Sequence, residues 1–593
     1  MISRPHLVFL VVDSLRTDYL GCYEGVDRGT PHVDELARQG VVFRNAISQA
    51  TSTRSSVASL LTGLYPSQHG LVYSPRRRTG SRVSVAVLEP WTPALAKILA
   101  GAGYTTARFY GGQFNVKKPT VGLSRGFCHV MPQDIPNDGV RVEKFEEWLR
   151  AARPDRLFCY LHFLDVHSPL PAELKASTAA EQFDLREVKR SFNRLVDCYA
   201  EAIRRVDGYI GRVLGTLDAA GMLEDTWIIV LADHGQELME HGAMLSHSTL
   251  YRELVHVPLI MRFPGRAHAG MRVEEPVQLI DIMPTVLDAL ELAPMEMAGR
   301  TLLPVIRGEW PAVSAGAFSE LHRPNWYSRS VTTATHQFIQ SYVFDGCRAV
   351  SPADLRPGMS IEVKGQPTPE SFLATSVVVA PGARCEVTGT LERVDADRQL
   401  LVLFGLDVFT DDGTEFLNMD KKGVDGATLA EGDRVTVSFT MAGDGRRLAT
   451  KVKRRRPGGK AKIHGVIEKV WDLSNGFRCL TVLGVDVLVR DDLTVNVATA
   501  TPSGNSSDGE DDALGRVLAG DYLQRRQELY DLRSDPSQAR NVVDEQPDLA
   551  RELEARLETW ARSLLGKRRT AVGLVSVDSE ALRRLRRREH VDW

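Results

Sequence analysis

No stretch of this 593-residue sequence reaches the roughly 18 consecutive apolar residues that a membrane-spanning helix needs. A helical membrane span is therefore not expected. Cysteine is sparse. The seven residues, at 22, 128, 159, 198, 347, 385 and 479, are odd in number, scattered and without a CxxC pair. This pattern suits reduced thiols better than a disulfide framework, so a cytoplasmic protein is expected. The opening Met-Ile-Ser-Arg-Pro-His-Leu-Val-Phe-Leu-Val-Val-Asp has a short apolar run that passes straight into an acid, with no small-residue cleavage site. It reads as a buried strand rather than a signal peptide. Charge of one sign is lacking too. The net charge is −3, so nothing global points to nucleic acid or to an acidic membrane. What is present is ordinary for a soluble globular chain: 43% hydrophobic and 25% charged residues. The length exceeds what one core supports, which implies two to four domains.

Over residues 1–300, apolar runs alternate with helical patterns. His6–Val12, Arg156–Phe163, Thr226–Ala232 and Val257–Arg262 have the continuous apolar character of strands buried on both faces. Val33–Gln39, Val142–Ala151 and Tyr199–Ala219 have helical periodicity, and Gly221 stands where the last should stop. Such alternation predicts a doubly wound α/β sheet.

From about residue 347 strand-like alternation and Gly-rich turns take over. A repeat runs through this stretch with an offset of about 75 residues. Gly358-Met-Ser-Ile-Glu-Val and Phe372-Leu-Ala-Thr-Ser-Val return as Gly432-Asp-Arg-Val-Thr-Val and Arg447-Leu-Ala-Thr-Lys-Val. Val387-Thr-Gly-Thr-Leu-Glu-Arg-Val returns as Ile463-His-Gly-Val-Ile-Glu-Lys-Val. Two copies of a small β-barrel-like unit are expected. Residues 499–515 are polar, Gly/Ser-rich and acidic, as a flexible linker is. The catalytic-domain texture then returns with Gln527-Glu-Leu-Tyr-Asp-Leu and a helix over about 547–565. The expected organisation is a catalytic α/β domain over 1–346, an inserted all-β repeat domain over 347–498, a linker over 499–515, and a segment 516–593 that completes the catalytic domain as a small α+β subdomain.

Three residues end strands: Asp13 the first, and Asp233 with His234 a later one. Ligands of open α/β sheets bind beyond the carboxyl ends of the strands, so the three can converge. A carboxylate–imidazole group there suits a divalent metal, although an acid after a strand also serves as a plain helix cap. Thr53 precedes a short helical stretch that ends at Gly63. A hydroxyl at a helix N-terminus is placed for an anionic ester and, beside a metal, is activated as a nucleophile; an N-cap role is the alternative.

Six ordered blocks resemble the sulfatase family of the alkaline-phosphatase-like superfamily. They are Val11-Val-Asp-Ser-Leu-Arg-Thr-Asp-Tyr-Leu-Gly-Cys-Tyr, Thr30-Pro-His-Val-Asp-Glu-Leu-Ala, Ser59-Leu-Leu-Thr-Gly-Leu-Tyr-Pro-Ser-Gln-His-Gly, Phe163-Leu-Asp-Val-His-Ser-Pro, Leu231-Ala-Asp-His-Gly-Gln-Glu-Leu with His247, and Glu528-Leu-Tyr-Asp-Leu-Arg-Ser-Asp-Pro. By this resemblance Asp13, Asp233 and His234 fall on metal-ligand positions. Thr53 falls on the nucleophile position and also touches the metal. His167 and His247 fall on positions that contact ester oxygens or assist the leaving group. One divalent cation (Ca, Mg, Mn or Zn) is implied, and His162, Asp165 and His241 are the spare candidates for a second. The sequence departs from the family where a sulfatase carries the Cys or Ser that becomes formylglycine. It reads Thr53-Arg54-Ser55-Ser56-Val57, and threonine cannot give the aldehyde. Ser14 replaces the second acid of the usual pair, and His247 stands where many sulfatases have Lys. Arg54 either replaces the missing motif arginine in substrate binding or is a solvated helix residue.

The expected activity is metal-dependent hydrolysis of a sulfate, phosphodiester or phosphonate ester, small or polymer-borne, through Thr53. A phosphoryl- or phosphoglycerol-type transferase on the same site is the first alternative. A catalytically decayed binding protein working through the β insert is the second. Specificity is expected in loops at about 71–90 and 112–135, and homo-oligomers are open. The basic run Lys451–Lys462 lacks interleaved aromatics and reads as a solvated loop, with no nucleic-acid partner. Leu574–Trp593, with its basic run Ala581–Arg588, resembles the short C-terminal helix that ends many family members.

Overall fold

The computed structural model describes residues 5–24, 27–72, 78–79, 82–90, 92–110, 122–131, 137–167, 185–238, 240–241, 243–244, 247–309, 316–323, 326–343, 355, 360–367, 372–379, 385–395, 398–411, 413–417, 429–441, 446–455, 461–473, 477–490, 495–497, 517, 524–565 and 573–578. The proposed linker at 499–515, the basic run 581–588 and much of the loop at 112–135 lie outside them. No described helix is long and apolar enough to cross a membrane.

His6–Val12 is the central strand of a nine-stranded sheet, buried on both faces as its unbroken apolar run requires. Leu157–Phe163 pairs with it in parallel on one side and Thr226–Ala232 on the other. Thr105–Phe109 and His129–Val130 extend the parallel body beyond Leu157–Phe163. The sheet is mixed rather than wholly parallel. Leu259–Arg262 runs antiparallel between Thr226–Ala232 and Val41–Ile47. The apolar run read as one strand over 257–262 is two pieces, His256–Val257 and Leu259–Arg262, because Pro258 has no N–H to give the ladder. The helices pack in two groups. Pro31–Arg38 and Asp138–Ala152 lie against the long Leu185–Ala219 helix. Thr53–Thr62 packs with Leu95–Gly101 and Ile282–Ala289. This is a doubly wound α/β architecture.

A second, four-stranded antiparallel sheet joins Ala317–Arg323, Trp326–Thr332, His336–Val343 and Gln524–Asp531. The helix Pro547–Leu565 covers it with Leu553, Leu557, Trp560 and Leu564. Val343 and Gln524 are register partners, so the chain leaves this sheet and returns to the next strand at the same point. The all-β residues occupy that excursion.

The β repeats do not fold copy by copy. The first strand of copy one, Ser360–Pro367, pairs with the third of copy two, Ala461–Leu473. Reciprocally, Arg434–Met441 of copy two pairs with Cys385–Thr390 of copy one. The second strands cross over in the same way. Phe372–Val379 lies parallel to Val485–Arg490, and Arg447–Arg454 to Leu406–Phe409. One unit is therefore continuous in sequence, from Cys385 to Arg454. Its equivalent is split into 360–379 and 461–497 around it. The sequence offset identifies two copies; the pairing shows that the folding unit is permuted relative to the repeat. An excised fragment 385–455 is expected to unfold cooperatively on its own, as a closed unit does. Non-cooperative melting of that fragment would contradict the split.

The C-terminal stretch differs from expectation. Gly573–Asp578 is a strand, antiparallel to Arg82–Val87, and not the start of a helix. Gly-Leu-Val-Ser-Val-Asp alternates with period two and is rich in Val, which favours extended pairing. The proposed specificity loop at 71–90 is thus a small sheet over part of its length.

Candidate metal and nucleophile site

Register alone brings the strand-end residues together. Val12 lies opposite Phe163 on one neighbour and Ala232 on the other, so Asp13 and Asp233 emerge side by side at the carboxyl end. His162 is opposite Val11. Side chains alternate faces along a strand, so His162 shares its face with Asp13, two residues past Val11. The outcome is a fully buried cluster. His162 Nε2 lies 3.6 Å from Asp13 Oδ2 and 4.0 Å from Asp233 Oδ2. His234 Nε2 lies 3.6 Å from Asp13 Oδ1 and 3.7 Å from Asp233 Oδ2. Ligand atoms of Asp13, His162 and Asp233 all fall within 4.8 Å of one another.

Thr53 enters from the other side. It is the first residue of the helix Thr53–Thr62, and Ser52 is the N-cap, in extended conformation. The Thr53 side chain does not cap the helix. Its hydroxyl donates to Asp13 Oδ2 at 3.2 Å and stands 3.2 Å from His234 Nε2. The helix ends at Gly63, whose φ of 68° is the left-handed cap that a glycine accepts without strain. Two other hydroxyls tie this helix to the strand end. Ser48 and Ser56 both donate to the Asp233 carbonyl, at 2.6 and 2.5 Å.

The backbone at Ser14 is held in the left-handed region, with φ 63°. Its N–H donates to Asp233 Oδ1, its hydroxyl to Asp13 Oδ1, and its carbonyl accepts from Tyr199. The conformation costs of order 1 kcal/mol for a non-glycine residue. Ser14 thus orients both acids.

Hydrogen-bond partners fix the imidazoles. His234 Nδ1 is 2.9 Å from the Gly235 carbonyl, so it carries the proton and leaves the Nε2 lone pair facing the acids. Two carboxylates and the ring nitrogens of two histidines then face one another, with the Thr53 and Ser14 hydroxyls donating to Asp13. That donor set suits a divalent cation. Burial and the charge on Asp13 push the Asp233 carboxyl up to about 7. Burial also works to raise Asp13, but His167, His162 and His234 outweigh it and hold Asp13 well below the usual carboxylate range.

His247 sits beside this cluster, with its ring centroid 4.6 Å from that of His234 and 5.4 Å from that of His167. Its Nε2 is 3.1 Å from Gln236 Oε1, and its carbonyl accepts from Thr51 and Arg323. Burial, then the neighbouring His234 and His167, lower its pKa well below the ordinary histidine value. His167 lies in the turn after Leu157–Phe163. That turn is held by Asp138, whose carboxylate accepts from the Leu164 and Asp165 N–H groups. Arg54, in the first turn of the helix Thr53–Thr62, is half-buried, and burial lowers its guanidinium to about 10.

The seven residues singled out in the sequence therefore fall in one region. The spare candidates separate. Asp165 faces the N-terminus of the helix Asp138–Ala152, accepting from Asp138 N–H at 3.4 Å. His241 stacks on Tyr251, 3.5 Å from Glu253. Of these three spare candidates, His162 alone reaches the acids. Gln236, Ser48 and Ser56 were not singled out. Only Gln236, three residues past Asp233, carried any signal.

Residues 5–292 match the Sulfatase family, and residues 388–453 match a domain of unknown function, DUF5666. The second match coincides with the continuous β unit. The chain is 26% identical to the steryl-sulfatase of Rattus norvegicus, over 51% of this chain and 70% of that protein. It is 22% identical to a Delta 4,5-hexuronate-2-O-sulfatase of Bacteroides thetaiotaomicron, over 52% of this chain and 73% of that one. A solved 2-O GAG sulfatase shares 20% identity with a TM-score of 0.47, over 58% of this chain and 85% of its own. Residues 5–292, the α/β part of the chain, carry a Sulfatase-family domain. It is a hydrolase domain.

Proposed function

We propose that the domain cleaves a sulfate, phosphodiester or phosphonate ester by covalent catalysis at Thr53. The observation that carries this reading is the Thr53 hydroxyl, 3.2 Å from both Asp13 and His234 at the start of a ten-residue helix. A divalent cation held by Asp13, Thr53, Asp233 and His234 would supply Lewis-acid charge that eases deprotonation of the hydroxyl and offsets charge on the ester oxygens. Thr53 Oγ1 attacks the sulfur or phosphorus while the bond to the departing oxygen breaks. Asp13 Oδ2 is placed to take the hydroxyl proton. The N-terminal end of the helix and the half-buried Arg54 stabilise the equatorial oxygens. His247, kept neutral, hydrogen-bonds an ester oxygen, and His167 delivers the proton to the departing group. Water then hydrolyses the threonyl ester.

The two relatives named for sulfate esters support sulfate. The unmodified threonine, which cannot become formylglycine, supports phosphorus. Aryl sulfate, phosphodiester and phosphonate substrates, each tried with Mg, Mn, Ca and Zn, separate the two. Turnover of at least one of them is expected, with water as the acceptor. An added alcohol that captures most of the product would favour the transferase reading. A protein that neither binds metal nor turns over any of them would favour a binding role for the insert.

A further inference from the structure

We propose that His162 is itself a ligand of the cation, so that the site is a mixed carboxylate–imidazole shell selective for zinc or manganese over calcium. This rests on the reading that Asp13, Asp233 and His234 hold a divalent cation. His162 is completely buried, yet its Nε2 has no hydrogen-bond partner, and neither has Asp233 Oδ2, 4.0 Å away. Buried polar atoms are nearly always satisfied, and two of opposite origin aimed at one point mark a shared ligand. The separations of 3.6 and 4.0 Å to the two acids fall within the roughly 4.2 Å that two donors can span across one ion with bonds of about 2.1 Å.

The ring is also held as a ligand should be. Nδ1 is 2.9 Å from the Tyr160 hydroxyl, and Tyr110 lies against the ring with centroids 4.5 Å apart. With the Nδ1 proton donated to Tyr160, the Nε2 lone pair faces Asp13 and Asp233. The chemistry of the shell follows. Ser14 contributes no carboxylate, and two imidazoles join two carboxylates and one hydroxyl. Calcium takes six to eight oxygens, whereas imidazole nitrogen favours zinc and other first-row ions.

The test uses the full chain, stripped of metal and titrated with Zn²⁺, Mn²⁺ and Ca²⁺ by calorimetry and with Co²⁺ by visible absorption. The wild type is expected to bind zinc and manganese at least about tenfold more tightly than calcium. His162→Gln should weaken zinc binding at least about tenfold and alter the Co²⁺ band. Tyr160→Phe should give a smaller loss, since outer partners of ligands are worth about 10–100-fold. Zinc X-ray absorption of the wild type, which needs no variant to fold, should count two imidazoles. If His162→Gln keeps wild-type affinity and spectrum while Asp233→Asn loses binding, or if one imidazole is counted, His162 is not a ligand, although the metal site stands. If the wild type binds none of these ions, the metal-dependent reading fails and this inference with it.

Discussion

Thr53→Ala is expected to abolish turnover, by at least about a thousandfold, while leaving the fold largely in place. Loss of a covalent nucleophile removes the reaction path itself rather than a stabilising contact, and such losses reach about a millionfold in well-studied hydrolases. Stability should change little. Thr53 is not the N-cap, and its neighbour Ser52 keeps that position. The helix is retained by Ser56 N–H on the Ser52 carbonyl and by the Ser56 hydroxyl on Asp233. Thr53→Ser tests the chemistry further. It preserves the hydroxyl and should recover much of the rate. A comparison of kcat for the wild type and both variants, with melting temperatures alongside, reads the effect directly. Full activity in Thr53→Ala would remove the nucleophile from the account.

Asp233→Asn should have an effect of similar size on turnover and the opposite effect on the stability of the metal-free protein. Asn retains the Oδ1 that accepts from the His234 and Ser14 N–H groups, so the strand end should hold its shape. It cannot offer the second carboxylate oxygen as an anion, and metal affinity should fall steeply. The stability effect follows from linkage. Burial and Asp13 raise the Asp233 carboxyl from its ordinary value to about 7 in the folded chain. Between those two pH values the folded state holds a proton that the unfolded state has lost. Stability of the metal-free protein therefore declines as pH rises through that window, and the contribution is gone above about pH 7. Asp233→Asn has no proton to lose. Above pH 7 it should exceed the metal-free wild type by roughly 2–4 kcal/mol. Added metal should reverse the order, because only the wild type gains from it. Denaturant melts at pH 5 and pH 8, with and without metal, check all four cases. An Asn variant destabilised by the same amount at both pH values would show that the two acids do not repel.

The sequence made some of this plain and hid the rest for identifiable reasons. Thr226–Ala232 and His6–Val12 were legible to the residue, because strands buried on both faces show as unbroken apolar runs between polar ends. The long helix begins at Leu185, well before Tyr199. Asp13, Asp233 and His234 were legible because they end such strands. His162 was not. A histidine inside an apolar strand reads as core until the register with Val11 puts it on the same face as Asp13. Register is set by pairing between segments about 150 residues apart, and no local pattern encodes it. The same limit applies to the β insert. The repeats announce two copies, yet similarity in sequence is silent on the pairing of Ser360–Pro367 with Ala461–Leu473 of the other copy as well as with Phe372–Val379 of its own. Ser14, a departure at the sequence level, becomes intelligible only with its φ of 63° and its bonds to both acids.

The most direct measurement is the mass of the nucleophile peptide after acid quench during turnover of an aryl phosphodiester or sulfate. Trypsin releases Thr53 within Asn45–Arg54, between Arg44 and Arg54. A fraction of that peptide should carry the mass of the transferred phosphoryl or sulfuryl group, with fragmentation placing it on Thr53, and Thr53→Ala should abolish the adduct. An unmodified peptide in a quenched, actively turning-over sample, or a group placed on another residue, would contradict covalent catalysis at this threonine.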